Sequence, residues 1–348
     1  MGPEVIRESE KVLRAVADMD PAVDLAFDHY DWGTENYLAK GEMMPGDALD
    51  ILRGYDALLF GAVGSPAVKD HVTLRHLLLK IRFGFDLYVN LRPVKLLDGV
   101  ETPLRNAKQA DIDMVFVREG TEGEYAGVGD RIYTGTPREV ALQTAVFSRI
   151  GTERVIRWAF DLAEREGRSV TSVSKGNALS YSAVLWDEIF EEIALEFPNV
   201  STQRLLVDAA AMFMVMEPER FGVVVASNLF ADILTDLGAA IMGGMGLAPS
   251  AGLNPEGTYP SMFEPIHGSA PEIAGKGEAN PIGSIWSSAQ MLDYLGHPEW
   301  GAEILRSINE VLRAGAVRTP DLGGVASTEE MGDAITTALA LPKMAAQL

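Results

Sequence analysis

From Ile112 to about residue 240 the chain repeats one pattern, a short apolar run followed by a stretch of helical periodicity. The run Ile112–Val117 reads as a strand. A helix is expected near 152–166, a strand near 169–174, a helix near 181–196 and a strand near 203–207. Another helix follows, then the strand Phe221–Ala226 and a helix from about Leu229. A βα rhythm of this kind predicts an α/β protein with an at least partly parallel sheet. Upstream, Glu4–Asp18 places Val5, Ile6, Val12, Leu13 and Val16 near helical spacing. Asp56–Val63 reads as a buried strand ending in the Gly-rich turn Gly61–Pro66, and Arg118–Tyr125 as a polar loop. The C-terminal third reads as mostly helical, with Ser327 and Glu330 spaced as a capping box. There is no internal repeat and no low-complexity linker.

Composition narrows the chemistry. The 348 residues include no cysteine, which leaves oxygen and imidazole as the only metal donors and removes disulfides and thiol nucleophiles. A formal charge of -21 argues against nucleic acid or an anionic membrane as a partner. It also means that a site for an anionic substrate needs its own cluster of Arg or Lys. The longest uncharged run, Leu237–Pro255, is interrupted by Gly and Pro and is short for a membrane span. No N-terminal stretch resembles a signal peptide, so a cytoplasmic location is expected.

Several residue patterns can carry chemistry. Asp232 and Asp236 lie four apart on one predicted helix, which suits a hard divalent cation such as Mg²⁺ or Mn²⁺ and suits a solvated helix face equally well. Asp208 follows the strand near 203–207, where α/β sheets bind ligands and where a helix N-cap also sits. Arg82, Arg92 and Arg118 can grip carboxylates if they converge; each alone reads as a surface or ion-pair arginine. Lys175 leaves a strand and Tyr125 follows a Gly-rich acidic loop; the two suit a base and an acid beside a metal-bound substrate, but by themselves read as a solvated lysine and a half-buried tyrosine. In the turn Glu264–Ala270, backbone N–H groups suit phosphate oxygens, and Glu272 suits a ribose diol while repelling a 2′-phosphate. No G-x-G-x-x-G or Walker-type loop occurs.

Taken together, Leu91–Pro93, Val117–Tyr125, Asn228–Asp236, Ser261–Ala270, Gly275–Gly277 and Asn280–Pro281 resemble the β-decarboxylating dehydrogenase family. Its members include isopropylmalate, isocitrate, D-malate and tartrate dehydrogenases. The resemblance covers nearly the whole chain. It implies an isopropylmalate dehydrogenase-like two-lobed α/β fold with mixed sheets. Residues 1–88 and 243–348 would form the cofactor lobe, and 89–242 the substrate and dimerisation lobe. It implies a homodimer with shared active sites, NAD, and Mg²⁺ or Mn²⁺. Arg82, Arg92 and Arg118 match the substrate-carboxylate arginines. Asp208, Asp232 and Asp236 match the metal ligands, with Asp208 and the proton-abstracting Lys175 reaching across the dimer. Tyr125 matches the acid that protonates the enol. His267, Gly268, Ser269, Ala270, Glu272 and Asn280 match the loop around the adenosine half of NAD.

Tyr30–Gly33, Met43–Pro45, Asp70–Leu74 and Val225–Asn228 resemble the D-malate and tartrate branch more than the isopropylmalate branch. Leu78 and Leu79 are compatible with an alkyl substituent, which keeps 3-isopropylmalate as the alternative substrate. Arg75 departs from both branches. A second departure is the start, Met1-Gly-Pro-Glu4, where the family pattern has a strand and an Asp-Gly-Ile-Gly-Pro-Glu-type turn. A start assigned downstream of the true one is the favoured explanation, and a truncated, non-catalytic dimeric binding protein is the other.

Overall fold

The computed structural model describes residues 1–105 and 107–341; residues 342–348, at the end of the expected cofactor lobe, lie outside it. Among the described residues there are ten strands: β1 (Ala57–Leu59), β2 (Val89–Lys95), β3 (Asp113–Glu119), β4 (Gly123–Ile132), β5 (Val140–Val146), β6 (Val170–Ser174), β7 (Thr202–Leu206), β8 (Val223–Ala226), β9 (Pro249–Leu253) and β10 (Ser261–Pro265). Eight of them form one mixed sheet in the order β1-β10-β9-β2-β3-β8-β6-β7, while β4 and β5 pair as a separate hairpin. The βα rhythm maps onto the parallel run β3-β8-β6-β7. Antiparallel β2 joins it to β9 and so makes the sheet continuous through both expected lobes.

Helices cover both faces of the β2–β8 region. On one face, Val89, Val115 and Val117 pack against Val155, Ile156, Phe160, Trp186 and Ile189 from helices Arg149–Glu166 and Ser182–Ala194. The first of these helices is bounded by Ser148, whose hydroxyl accepts the Gly151 N–H, and by Gly167 at φ 65°. The other face carries Val94, Met114 and Phe116 against the helix Asn228–Ile241, and continues under helices Gly2–Met19, Ile282–Tyr294, Pro298–Ala314 and Thr328–Ala340. A third cluster joins Met43, Met44, Leu77, Ile81 and Phe85 to Met262 of β10.

Four local expectations are corrected. The 56–63 strand is only three residues long and half-buried, because it forms an edge of the sheet. Beside it, 23–29 runs without a strand assignment although Val23, Leu25 and Phe27 turn towards the core. The segment 118–125 is not a loop: Arg118 and Glu119 belong to β3, and Gly123–Tyr125 opens β4. The hairpin was hidden because its strands are exposed and carry no alternation of apolar and polar residues. Asp208 is not an N-cap; it lies in the first turn of helix Val207–Met216, whose N-cap is Leu206. The C-terminal third also contributes β9 and β10. Ser327 and Glu330 do form a capping box. Among the described residues no helix is long and apolar enough to cross a membrane.

The helix Asn228–Ile241 sits close to β2 because Gly238 faces Val94: a Cβ there would lie 2.6 Å from Val94 Cγ2. In an exposed helix Gly→Ala stabilises by about 1 kcal/mol. Here Gly238→Ala is expected to destabilise by about 1–3 kcal/mol through overpacking, read from the urea midpoint. A gain in stability would show that the helix is free to slide over the sheet.

Candidate functional site

The site is built on that helix and two strands. On β2, Asn90 and Arg92 are two residues apart and point to the same face, and Asn90 pairs with Arg118 of β3 in the ladder. On the helix, Asn228, Asp232 and Thr235 fall at i, i+4 and i+7, a single stripe facing these strands. The side chains interlock. Arg92 donates from Nη1 to Asp232 Oδ1 at 3.2 Å and Thr235 Oγ1 at 2.6 Å, and from Nε to Asn90 Oδ1 at 2.7 Å. Arg118 donates from Nη2 to Asn228 Oδ1 at 2.7 Å and from Nη1 to Asp232 Oδ1. Tyr125, from β4, donates its hydroxyl to Asp232 Oδ2 at 2.8 Å, and its ring lies 5.4 Å from the Arg118 guanidinium carbon.

Arg82 joins the cluster from the helix Leu79–Gly84. Its Nη2 donates to Glu264 Oε1 at 2.5 Å, and both side chains are buried. Arg82 Nε has no partner among the described residues. Burial and the neighbouring Arg118 lower the pKa of Arg92, and burial also lowers that of Arg118. Guanidinium groups nonetheless stay protonated in proteins. Burial opposes ionisation of Asp232, but Arg118, Arg92 and the Tyr125 hydrogen bond overcome it and hold the carboxyl below its ordinary pKa. Burial, reinforced by Asp232, pushes the Tyr125 phenol up, so it remains a protonated donor.

One turn beyond Asp232, Asp236 is exposed, and burial of part of its carboxyl together with Asp232 raises its pKa. The two carboxylates on one open helix face are a donor set that a hard dication with substrate oxygens and water can use. Asp208 does not complete it within one chain: Lys175 Nζ donates to Asp208 Oδ1 at 2.6 Å in a separate pair. Among the described residues no three acidic or His side chains gather into a metal-sized cluster. Lys175 likewise stands apart from Tyr125 in the hydrogen-bond network.

The expected cofactor residues fall on the loop after β10. His267 Nε2 is buried and has no partner among the described residues, a polar atom of the kind a ligand satisfies, and burial lowers the pKa of the imidazole. Gly268 is exposed and Ala270 holds φ 39°. A Cβ on Gly64 would come 2.9 Å from Ser269 Oγ, so the Gly61–Pro66 turn closes against this loop. Glu272 is exposed, free to meet a hydroxyl-bearing ligand. Asn280, by contrast, is buried: its amide donates to Asp321 Oδ2 at 3.0 Å and accepts the Ile282 N–H at 3.0 Å, bracing the start of the next helix. These residues fit a dinucleotide at the loop, with Asn280 acting from behind it.

Sequence reasoning assigned no role to Asn90, Asn228, Thr235 or Glu264. The i, i+2 spacing of Asn90 with Arg92 and the helical spacing of 228, 232 and 235 were the available signals. For Glu264 the signal was a lone charge inside an apolar strand.

The isocitrate/isopropylmalate dehydrogenase family model matches residues 1–335. The chain belongs to this family. It is 47% identical over 350 residues to a probable tartrate dehydrogenase/decarboxylase of Agrobacterium vitis, covering 99% of this chain and 96% of that protein. It is 49% identical over 343 residues to a 3-isopropylmalate dehydrogenase of Thermobifida fusca, covering 98% and 95%. The crystal structure of isocitrate dehydrogenase from Methylococcus capsulatus superposes with a TM-score of 0.88 at 36% identity, covering 97% of this chain and 96% of that one. The mixed eight-stranded sheet is thus the family's fold.

Because Arg82 and Glu264 are both buried, removing one leaves the other charged without a partner. Glu264→Ala is expected to lower stability by about 3–5 kcal/mol, and the double replacement Arg82→Leu/Glu264→Leu by clearly less. Chemical denaturation of the two variants decides it; equal losses would mean that the pair itself holds the fold.

Proposed function

We propose that this enzyme oxidises and decarboxylates a small 2-hydroxy diacid, D-malate or tartrate, to a 2-keto acid such as pyruvate plus CO₂, using NAD and Mg²⁺ or Mn²⁺. The observation that carries the reading is the cluster itself: three buried arginines around one ionised carboxylate, with a protonated tyrosine on it and a second carboxylate one turn away. Buried guanidinium groups held by Asn90, Thr235, Asn228 and Glu264 are preorganised for carboxylates in a protein of strongly negative net charge. The tartrate dehydrogenase/decarboxylase relative supports a hydroxy-acid substrate.

A dication held by Asp232 and Asp236 would supply Lewis acidity to the substrate oxygens, and NAD, its adenosine half held by the 267–272 loop, would supply the hydride acceptor. The chain's own residues do the rest. Arg82, Arg92 and Arg118 bind the two carboxylates and fix the reacting carbon. Lys175 of the partner subunit takes the hydroxyl proton as the C–H hydride leaves. Loss of CO₂ from the resulting 2-keto acid leaves an enolate, and the Tyr125 hydroxyl gives its proton to carbon to complete the 2-keto product.

Lys175 and Asp208 pair with each other here rather than with Asp232, which supports a site completed across a homodimer. Val128, Ile132, Tyr133, Val140 and Leu142 on the β4–β5 hairpin are exposed, as are Met212 and Met216 beyond Asp208, surface that a second copy would cover. On this reading residues 1–88 with 243–348 form the cofactor lobe and 89–242 the dimer lobe, in the cytoplasm. Arg75 lies against Gly127, where a Cβ would meet its guanidinium, and this adds a cation near the Tyr125 strand. That arrangement favours a polar substrate over 3-isopropylmalate.

The test is NADH formation and CO₂ release with Mn²⁺, offering D-malate, L-tartrate and 3-isopropylmalate separately. Turnover is expected with D-malate or tartrate well above 3-isopropylmalate, and loss of it on chelation. Preference for 3-isopropylmalate would assign the chain to that substrate, and no turnover with any of the three would reject the reading. Mixing the inactive variants Tyr125→Phe and Lys175→Ala through unfolding and refolding should restore about a quarter of wild-type activity, since one site of each hybrid dimer is intact. No recovery would place both residues in a site within one chain.

A further inference from the structure

On β4, side chains alternate between faces: Tyr125 reaches Asp232, while Glu124 points to the opposite side. There a small, partly open cavity of about 10 Å³ is bounded by Glu124, Phe147, Trp186, Phe230, Ser174 and Ser227, among others. Glu124 Oε2 is buried and has no hydrogen-bond partner among the described residues. Ser174 and Ser227 are both buried. Ser174 ends β6, and among the described residues its hydroxyl accepts only a long 3.4 Å bond from the Gly176 N–H. Ser227 is the N-cap of the helix that carries Asp232, yet its side chain makes no cap bond.

A buried carboxylate oxygen without a donor is costly, and the volume is that of a single water molecule. The wall supplies the two to four polar partners such a water needs. We infer that Glu124 is a positioning residue for Tyr125: its carboxylate, through one water in this cavity, ties β4 to Ser174 and to Ser227. The consequence is geometric. The β4–β5 hairpin lies outside the main sheet, so its hold on the body depends on contacts such as this one and the Glu122 carboxylate, which accepts the Ser148 N–H at 2.9 Å. The water-bridged tie fixes the strand from behind, so that the Tyr125 hydroxyl meets the substrate carbon at a constant distance from Asp232. The inference rests on the reading of Tyr125 as the proton donor.

Two measurements test it. A high-resolution crystal structure of the wild-type protein should show one water bonded to Glu124 Oε2 and to Ser174 or Ser227; a dry cavity overturns the inference. Kinetically, Glu124→Ala should lower kcat about tenfold or more while leaving KM for the hydroxy acid nearly unchanged. Glu124→Gln, which keeps hydrogen-bonding atoms in place, should recover most of the loss. Ser227→Ala should lower kcat in the same direction, and the double variant with Glu124→Ala should be no worse than Glu124→Ala alone, because both act through one water. Additive losses, or a fall in Tm with kcat intact, overturn the inference. If Glu124→Ala does not fold, Ser227→Ala decides by the same split between kcat and KM. A wild-type protein that turns over none of the acids would defeat the proposed function, whereas the crystal structure would still decide the water.

Discussion

The Asp232 carboxylate is the interaction on which the rest of the site depends. Two guanidinium groups and a phenol hydroxyl converge on its two oxygens, and both arginines are buried. Burying that much positive charge is tolerable because further donors of the two arginines also find oxygens, from Asn90, Thr235 and Asn228. The carboxylate in turn stays ionised against its own burial because the arginines are there. Neither half is stable without the other. The result is a buried, hydrogen-bonded cluster of positive charge in a chain whose net charge is strongly negative.

This arrangement explains why the sheet is mixed where it is. Antiparallel β2 puts Asn90 beside Arg118 of β3 on one side and beside β9 on the other, where Ser250 and the Ala251 carbonyl hold the Asn90 amide. One asparagine therefore links the arginine pair to the strand that leads, through β10, to Glu264 and the His267 loop. Glu264 completes the link by holding Arg82. The groups proposed to bind carboxylates and the loop proposed for the dinucleotide are thus joined by buried hydrogen bonds along adjacent strands. A shift of either end would break bonds in a medium where they are expensive to lose.

The same economy leaves other groups waiting for partners. Asp236 faces outward beside its ionised neighbour, Lys175 and Asp208 neutralise one another at the surface, and His267 keeps a buried nitrogen without a bond among the described residues. Each is a polar group whose partner is a cation, another copy of the chain or a cofactor in the proposed reaction. Exposed apolar residues on the hairpin belong with them, since the strand that carries Tyr125 into the site also carries Val128 and Ile132 out to the surface.

The sequence by itself determined the parallel half of the sheet, the helix bearing Asp232 and Asp236, and the family, because helical and strand periods and long motifs are local properties of the chain. It also supplied the identities of Arg82, Arg92, Arg118 and Tyr125. Only the tertiary structure decided that these converge, since residues 82, 92, 118, 125 and 232 come from five elements and no local pattern encodes their approach. The hairpin was invisible for a related reason: both its strands are exposed, so burial imposed no alternation on them. Asn228 and Glu264 were legible as letters and not as partners, because a hydrogen bond between residues more than a hundred positions apart exists only once the elements that carry them are packed together.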